Sequence, residues 1–243
     1  MKVSLFVTCL VDQFFPDAGS STVRLLRRYG CDVSFPAGQT CCGQPAFNSG
    51  YVAAAHEAAR NHYKNFADAE YIVSPSGSCT GMVHHYYNEL FADEPEMLQK
   101  VSAMVDRTYE FSQFMVNVLG IEDVGGTFPH RVTYHPACHG MRLLGIKEEP
   151  MRLLRAIRGI DLVELPKGED CCGFGGTFSV KLSDISGAMV TEKSEHVEET
   201  RAEYLVSTDM GCLMNINGNL RRRGSKVKIL HLAELLYQAS SKQ

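Results

Sequence analysis

The chain has 243 residues, of which 44% are hydrophobic and 21% are charged, a balance typical of a folded protein that excludes a disordered one. Its formal net charge is −4, so it has no basic field for binding a nucleic acid. No apolar stretch reaches the roughly 20 residues of a membrane span, and the first residues lack the features of a signal peptide. We therefore expect a cytoplasmic protein.

Strand and helix patterns alternate through the first half of the chain. Strands are predicted at residues 3–7, 32–35 and 71–73, and helices at residues 22–28 and 51–66. A single cysteine or a Cys-Cys pair follows each predicted strand.

The second half repeats this order. A helical stretch at residues 96–119 and a glycine-containing join at residues 120–129 separate the two halves. The second half has three predicted strands and two predicted helices, the strands at residues 131–134, 162–165 and 204–206 and the helices at residues 151–158 and 183–200.

Strand, helix, strand, helix, strand is the signature of a parallel sheet covered by helices. We predict an α/β fold with two pseudo-repeated lobes, residues 1–122 and 123–243, each with a Rossmann-like parallel-sheet core. Leu232, Leu235 and Leu236 predict a final amphipathic helix that packs on the second lobe. Because parallel strands all end at one edge of their sheet, residues that follow the strands should converge there.

Eight of the nine cysteines form two sets with the same order, a single cysteine, an adjacent pair and a single cysteine. The first single cysteine and the pair are 32 positions apart in one set and 33 in the other, and the pair and the last cysteine are 37 and 40 apart. A glycine follows each pair. The sets are Cys9, Cys41, Cys42 and Cys79, and Cys138, Cys171, Cys172 and Cys212.

Four grouped cysteines in a reducing compartment indicate a metal site rather than structural disulfides. An adjacent pair does not easily chelate one tetrahedral ion, whereas neighbouring sulfurs can reach different irons of a cluster. We therefore predict that each set binds an iron-sulfur cluster, [4Fe–4S] in type, with zinc as the alternative at one site. The glycine after each pair is predicted to let the backbone approach the inorganic core and to donate its amide to a sulfur.

Other residues near the predicted strand ends have weaker signals. Cys31 has no counterpart in the second half and is predicted to pack in the core. Arg142 is a candidate cation for a substrate carboxylate. Four histidines are candidate nitrogen ligands for a metal, His84, His85, His135 and His139.

Three segments resemble the Cys-Cys-Gly domain family of iron-sulfur oxidoreductases. They are SLFVTCLVD at residues 4–12, QTCCGQPAFNSG at 39–50 and PSGSC at 75–79. This family includes a cysteine-rich component of heterodisulfide reductase and the iron-sulfur subunits of glycerol-3-phosphate and glycolate oxidases. The chain is most similar to the lactate-utilization branch, nearly from end to end.

The resemblance implies an iron-sulfur electron-transfer subunit of a cytoplasmic complex that oxidises L-lactate to pyruvate. Two companion lactate-utilization subunits, one of them a ferredoxin-type iron-sulfur protein, are expected as partners. The resemblance does not identify catalytic residues.

One departure from the family pattern leaves alternatives open. The heterodisulfide reductase pattern ends each set with Cys-x-x-Cys, whereas Met82 and Asn215 occupy the final positions here. Four thiolates suit an ordinary [4Fe–4S] cluster better than a cluster that needs five. A heterodisulfide-reductase-like thiol/disulfide oxidoreductase and a zinc-stabilised scaffold subunit remain the alternative functions.

Overall fold

The computed structural model describes residues 1–241. Within these residues the chain forms two four-stranded parallel sheets flanked by helices, which confirms the predicted α/β fold with two pseudo-repeated lobes. Lys242 and Gln243, the end of the predicted second lobe, lie outside the described residues. Among the described helices, none combines the length and apolar character needed to cross a membrane.

The first sheet and its helices, called the first lobe below, occupy residues 2–118. Its strands are β1 Lys2–Leu5, β2 Asp32–Ser34, β3 Tyr71–Ser74 and β4 Thr108–Glu110. Its helices are α1 Cys9–Phe14, α2 Pro16–Arg28, α3 Gln44–Phe47, α4 Val52–Phe66, α5 Gly77–Leu90, α6 Pro95–Val105 and α7 Phe111–Gln113, which continues as a π-helical turn at Phe114–Val118.

The second sheet and its helices, called the second lobe, occupy residues 131–240. Its strands are β5 Arg131–Tyr134, β6 Asp161–Val163, β7 Tyr204–Ser207 and β8 Lys228–His231. Its helices are α8 Cys138–Leu144, α9 Glu148–Arg155, α10 Phe178–Lys181, α11 Ser183–Glu199, α12 Met210–Arg222 and α13 Leu232–Ser240.

Both sheets have the same topology, with the order β2-β1-β3-β4 in the first and β6-β5-β7-β8 in the second. In the first sheet, Val3 of the central strand β1 lies between Val33 and Tyr71. In the second, Val132 takes the same place between two neighbouring strands. Because the chain leaves the central strand first to one side and then to the other, a crevice opens at the strand ends of each sheet.

The fourth strand of each sheet was missed by the sequence analysis. The predicted helix at residues 96–119 is wrong in its middle, since α6 ends at Val105 and β4 follows it. The amide of Ile72 donates to the carbonyl of Arg107 at 2.8 Å, which begins the pairing of β3 with β4. A three-residue strand shows no period that separates it from the helices beside it. The four-residue strand β8, between α12 and α13, was also not predicted.

The two lobes pack through helices that begin at the strand ends. Helix α5 lies against α8, and α1 contacts α12. A Cβ on Gly77 would lie 3.2 Å from the Cα of Gly140, so glycine allows α5 and α8 to approach closely. Helix α13 packs against its own sheet, which confirms the predicted packing on the second lobe, and also against α2 of the first lobe. The strand ends of both sheets therefore face the same region.

Candidate metal centre

The cysteines of the first set meet at the carboxyl edge of the first sheet. Cys9 begins α1 after β1, Cys41 and Cys42 precede α3, and Cys79 lies in the first turn of α5 after β3. Their thiols form a continuous hydrogen-bonded chain in the order Cys9, Cys41, Cys42, Cys79. Folding therefore brings together four residues that are far apart in sequence.

The second set repeats this arrangement. Cys138 begins α8 after β5, Cys171 and Cys172 precede α10, and Cys212 lies in the first turn of α12 after β7. The thiol chain again runs in sequence order, from Cys138 through the pair to Cys212. Cys172 is 2% exposed, as is Cys42. The second cysteine of each pair is thus the buried member of its pair.

Both sets open onto one cavity of about 170 Å³ between the lobes, and all eight predicted cysteines line it. The loops after the two Cys-Cys pairs meet beside this cavity, where the hydroxyls of Ser49 and Thr177 lie 2.6 Å apart. Among the described residues that line the cavity there is no lysine or arginine. The cavity therefore combines eight thiols with a largely uncharged wall.

The first cysteine of each pair has a strongly lowered pKa. Hydrogen bonds from Cys42 and Cys9 lower the pKa of Cys41 to about 3. Hydrogen bonds from Cys138 and Cys172 lower the pKa of Cys171 to about 2. The same contacts raise the pKa of Cys9 and of Cys138 above the ordinary thiol value. Each set thus stabilises a central thiolate, the form in which cysteine binds metals.

The glycine after each pair has a backbone that only glycine adopts easily. Gly43 has φ 87° and Gly173 has φ 79°. A Cβ on Gly173 would lie 2.9 Å from the carbonyl oxygen of Ser186 in α11, and one on Gly43 would lie 3.1 Å from that of Ala55 in α4. The glycines therefore allow close approach to a helix, and their role toward an inorganic core stays a prediction. The amide of Gly173 donates to Sγ of Cys171 at 3.4 Å, as predicted.

Each single cysteine lies at the start of a helix that begins at the cavity. These helices are α1, α5, α8 and α12. The first amides of a helix have no partner within the helix, and its N-terminus carries a partial positive charge. These helix starts therefore favour negative charge in the cavity, whose wall has no lysine or arginine among the described residues.

Asp209 connects the two sites across the lobe interface. It precedes α12 and accepts from the amide of Cys212 at 3.4 Å. Its other carboxylate oxygen accepts from the amide of Ser78 at 2.8 Å and from the hydroxyl of Ser76 at 3.1 Å. Ser76 in turn accepts from the amide of Cys79 at 3.3 Å. This buried network fixes the last cysteines of the two sets relative to each other.

The carbonyl of the second paired cysteine is held in both lobes, but by different side chains. The hydroxyl of Tyr87 donates to the carbonyl of Cys42 at 3.0 Å. The amide of Asn215 donates to the carbonyl of Cys172 at 2.8 Å. Met82, which occupies the position corresponding to Asn215, is fully buried in an apolar cluster, as expected of a packed residue. Neither final position therefore carries the fifth thiol of the heterodisulfide reductase pattern.

His135 lies directly behind the second set. It is 0% exposed, and neither of its ring nitrogens has a hydrogen-bond partner. One ligand atom of His135 and the sulfurs of Cys172 and Cys212 lie within 4.8 Å of one another. Burial lowers the pKa of His135 to about 4, so the imidazole is neutral near pH 7. A neutral imidazole is the metal-binding form of histidine.

The equivalent positions of the first lobe contain different residues. Phe6 stands three residues before Cys9, as His135 stands three before Cys138. Ala55 lies against Gly43 in the first lobe, and Ser186 lies against Gly173 in the second. His62 follows Ala55 by seven residues, and Lys193 follows Ser186 by seven residues. The rings of Phe6 and His62 lie 4.5 Å apart. In the second lobe, the ammonium of the buried Lys193 donates to two backbone carbonyls at 2.6 and 3.2 Å.

The other three candidate histidines differ in their distance from the site. A ring nitrogen of His84 lies 2.7 Å from the carbonyl of Thr108, and one of His85 lies 2.8 Å from that of Leu143. Neither residue lines the cavity. His139 does line it, with Nδ1 at 3.5 Å from Sγ of Cys138.

Two further candidates lie outside the shared cavity. The guanidinium of Arg142 donates to the carbonyl of Glu169 at 3.1 Å and borders a separate cavity of about 260 Å³ next to Cys171. Cys31 is 5% exposed within the apolar core, which confirms its predicted packing role.

Sequence reasoning missed Asp209, Tyr87 and Lys193. The sequence does contain a pattern that indicates Asp209. It precedes Cys212 by three residues, as Ser76 precedes Cys79, and aspartate and serine are both strongly preferred at helix N-caps. Tyr87 and Lys193 lie inside helices, where nothing local distinguishes a side chain that reaches the site from one that packs in the core.

The chain is similar to proteins of known family. A family model for a cysteine-rich domain, the CCG domain, matches residues 3–84 and 132–217. A protein of Oceanobacillus iheyensis named "Lactate utilization protein A" is 55% identical over 97% of this chain and 96% of its own length. A protein of the same name from Bacillus subtilis is 56% identical over 97% of this chain and 99% of its own length.

A solved structure shares the fold. A hypothetical protein from Helicobacter pylori superimposes with a TM-score of 0.65 at 13% identity, covering 100% of this chain and 49% of that protein. At this identity the likeness concerns the fold alone.

Proposed function

Because the chain belongs to the CCG cysteine-rich domain family and, within it, to the lactate utilization protein A group, we propose that it is an electron-transfer subunit of an iron-sulfur complex that oxidises L-lactate to pyruvate. The lactate assignment rests on the names of the relatives. The iron-sulfur assignment rests on the chain's own residues.

One observation carries the cluster proposal, namely that two separate chains of four thiols face one cavity. Thiolates are soft ligands that favour iron-sulfur clusters and zinc over harder ions. In each set an adjacent pair stands at the centre of the thiol chain, so its two sulfurs suit neighbouring metal atoms better than one tetrahedral ion. The donor sets therefore fit [4Fe–4S] clusters held by Cys9, Cys41, Cys42 and Cys79 and by Cys138, Cys171, Cys172 and Cys212.

The bound clusters would supply one-electron redox chemistry at each site. The chain's residues would hold them and set their surroundings. The helix N-termini stabilise negative charge, the Asp209 network keeps the two sites at a fixed spacing, and the cavity wall offers no lysine or arginine to compete with metal for the thiolates. Oxidation of lactate releases two electrons, so two adjacent one-electron sites match its stoichiometry.

We propose that the ferredoxin-type partner contacts an exposed apolar surface beside the cavity, which we call the loop patch. The patch is the set of exposed apolar residues that follow the two Cys-Cys loops, Tyr51 and Val52 in the first lobe and Val180, Leu182 and Ile185 in the second. The ammonium of Lys181 lies 5.3 Å from the ring centre of Tyr51, so residues of the two lobes adjoin in this patch. Exposed apolar patches mark interaction surfaces, and this one lies next to the loops that follow the Cys-Cys pairs.

A substitution in the loop patch tests this docking. Val180 is 80% exposed, so Val180→Asp is expected to weaken binding of the companion iron-sulfur subunit and to leave the metal content unchanged. Phe35→Asp is the matched control, because Phe35 is also exposed and apolar but belongs to no part of the patch. Equal binding by both variants, measured by calorimetry, would exclude this surface.

Metal analysis tests the cluster proposal. Protein purified without oxygen should contain about four iron and four acid-labile sulfide per site and should be brown. A colourless protein with stoichiometric zinc and no sulfide would overturn it. Growth on L-lactate after deletion and complementation of the gene would then test the substrate.

A further inference from the structure

We propose that His135 is a fifth protein ligand of the metal group at the second site, so that the two sites differ in their donor atoms. The inference deepens the proposed function and rests on a metal group being bound by the second cysteine set. It concerns a residue outside the repeated cysteine pattern.

The first support is the position of the imidazole. A ring nitrogen of His135 and the sulfurs of Cys172 and Cys212 lie within 4.8 Å of one another. Within residues 1–241, this is the one group of three such donor residues in a metal-binding arrangement. Atoms that converge at such separations can bind a common metal group after small shifts in side-chain torsion.

The second support is the unsatisfied state of the ring. His135 is fully buried, yet neither Nδ1 nor Nε2 has a hydrogen-bond partner. A buried polar atom without a hydrogen-bond partner is unfavourable, and buried polar atoms are nearly always satisfied. A metal atom beside the sulfurs of Cys172 and Cys212 would satisfy one of the two nitrogens.

The first site offers no equivalent donor among the described residues. Phe6 occupies the corresponding position, and its side chain has no atom that can bind a metal. His62 also has an unpaired nitrogen, but it belongs to no group of candidate donors. The first site therefore has four sulfur donors, whereas the second has four sulfurs and one imidazole nitrogen.

Isotope labelling tests this assignment with His135 itself unchanged. The full-length protein would be produced without oxygen from ¹⁵N-histidine, its metal content measured, and its paramagnetic reduced state studied by pulsed electron paramagnetic resonance. We expect a nitrogen coupling of the size seen for a directly bound imidazole. Cys172→Ser should abolish it, and Cys42→Ser, which affects the first site, should leave it intact.

Substitutions then identify the histidine. His135→Phe copies the residue of the first lobe and should remove the nitrogen coupling. His62→Phe is the matched control for loss of a buried histidine and should retain it. His139→Ala removes the other imidazole near the second cysteine set, the one beside Cys138. This variant should show the same nitrogen coupling as the wild type.

The outcomes separate this inference from the proposed function. Iron and sulfide at both sites with no histidine coupling, or with a coupling lost only in His139→Ala, would overturn the inference and leave the cluster proposal intact. Zinc without sulfide would overturn the cluster proposal, and zinc-edge absorption of the wild type and His135→Phe would then decide whether nitrogen is a ligand. A protein without metal would overturn both.

Discussion

The two lobes share one framework but differ directly behind the sheet edges that carry the cysteine sets. Each central strand leads to a single cysteine, and each Cys-Cys pair leads to a glycine pressed against a helix. Behind this edge, the first lobe has the uncharged rings of Phe6 and His62, and the second has His135 and the ammonium of Lys193. The cysteine spacing is therefore common to the two lobes, whereas the buried residues behind the cysteines make the two candidate sites differ.

Loss of one buried cysteine should have the largest effect on this comparison. Cys42→Ser is expected to remove the metal of the first site only, and Cys172→Ser that of the second, since each thiol is the buried centre of its own chain. Each variant should retain about half of the metal of the wild type. Iron and sulfide analysis together with spectroscopy of each variant would measure this.

Cys31→Ser is the control for loss of a buried thiol, because Cys31 packs in the core and lines no part of the cavity. Its metal content should equal that of the wild type. If either Cys42→Ser or Cys172→Ser empties both sites, the two sets do not act as independent binding sites.

The paired glycines allow a second comparison, now of stability. Gly173→Ala should destabilise the protein by about 2–4 kcal/mol, because it combines a positive φ with a contact to Ser186 that is too short for a methyl group. Gly43→Ala should destabilise the protein by about 1 kcal/mol less than Gly173→Ala does, because the carbonyl oxygen nearest to its Cβ is slightly farther away. Urea unfolding without oxygen measures both.

A third glycine supplies the control. Gly187 lies in α11, and a Cβ there would meet nothing within 4 Å. Gly187→Ala should therefore stabilise the protein by about 0.5–1 kcal/mol through helix propensity. A loss of stability in Gly187→Ala similar to that in Gly173→Ala would refute the steric argument.

Much of the framework was readable from sequence because its signals are local. The cysteine spacing, the predicted strands at residues 131–134 and 204–206 and the helix at 183–200 match the structure closely. What was missed depends on tertiary contacts. The short β4 is defined by pairing with β3, the common cavity by the packing of α5 on α8, and the roles of Tyr87 and Lys193 by side chains that reach the site from within helices.

The last strands of the two sheets allow a pH comparison. Glu110 ends β4 and His231 ends β8; both are fully buried, and both side chains cap the following helix. Burial raises the pKa of Glu110 to about 7 and lowers that of His231 to about 4. Both groups are therefore neutral in the folded protein near pH 5.

The two shifts give opposite pH dependences. For Glu110 the folded state holds the proton that the unfolded state has lost, so its contribution to stability falls as the pH rises from 4.5 to about 7. For His231 the unfolded state holds the extra proton, so its contribution is lost as the pH falls from 6.5 to about 4. Each full effect is about 3 kcal/mol.

Substitution should separate these two contributions. Relative to the wild type, the free energy of unfolding of Glu110→Gln should increase between about pH 5 and about pH 7, and that of His231→Asn should decrease over the same interval. Because His62 and His135 also have lowered pKa values, the variant-minus-wild-type difference is the informative quantity. Parallel pH profiles for the two variants would contradict the opposite signs.

The smallest predicted effect concerns the charge behind the second site. Lys193 is 2% exposed and interacts electrostatically with all three nearby thiols, Cys171, Cys172 and Cys212. Lys193→Met should lower the reduction potential of the second site on the order of 60 mV, about 1.4 kcal/mol for one electron, because a nearby cation stabilises the reduced group. His62→Met, the equivalent substitution in the first lobe, removes no charge at neutral pH and should leave both potentials nearly unchanged, since burial lowers the pKa of His62 to about 3.

Redox titration with spectroscopic separation of the two sites would measure these shifts. Equal shifts in both variants would mean that the difference between the sites does not come from the charge of Lys193, and His135 would then be the remaining buried difference on the second side.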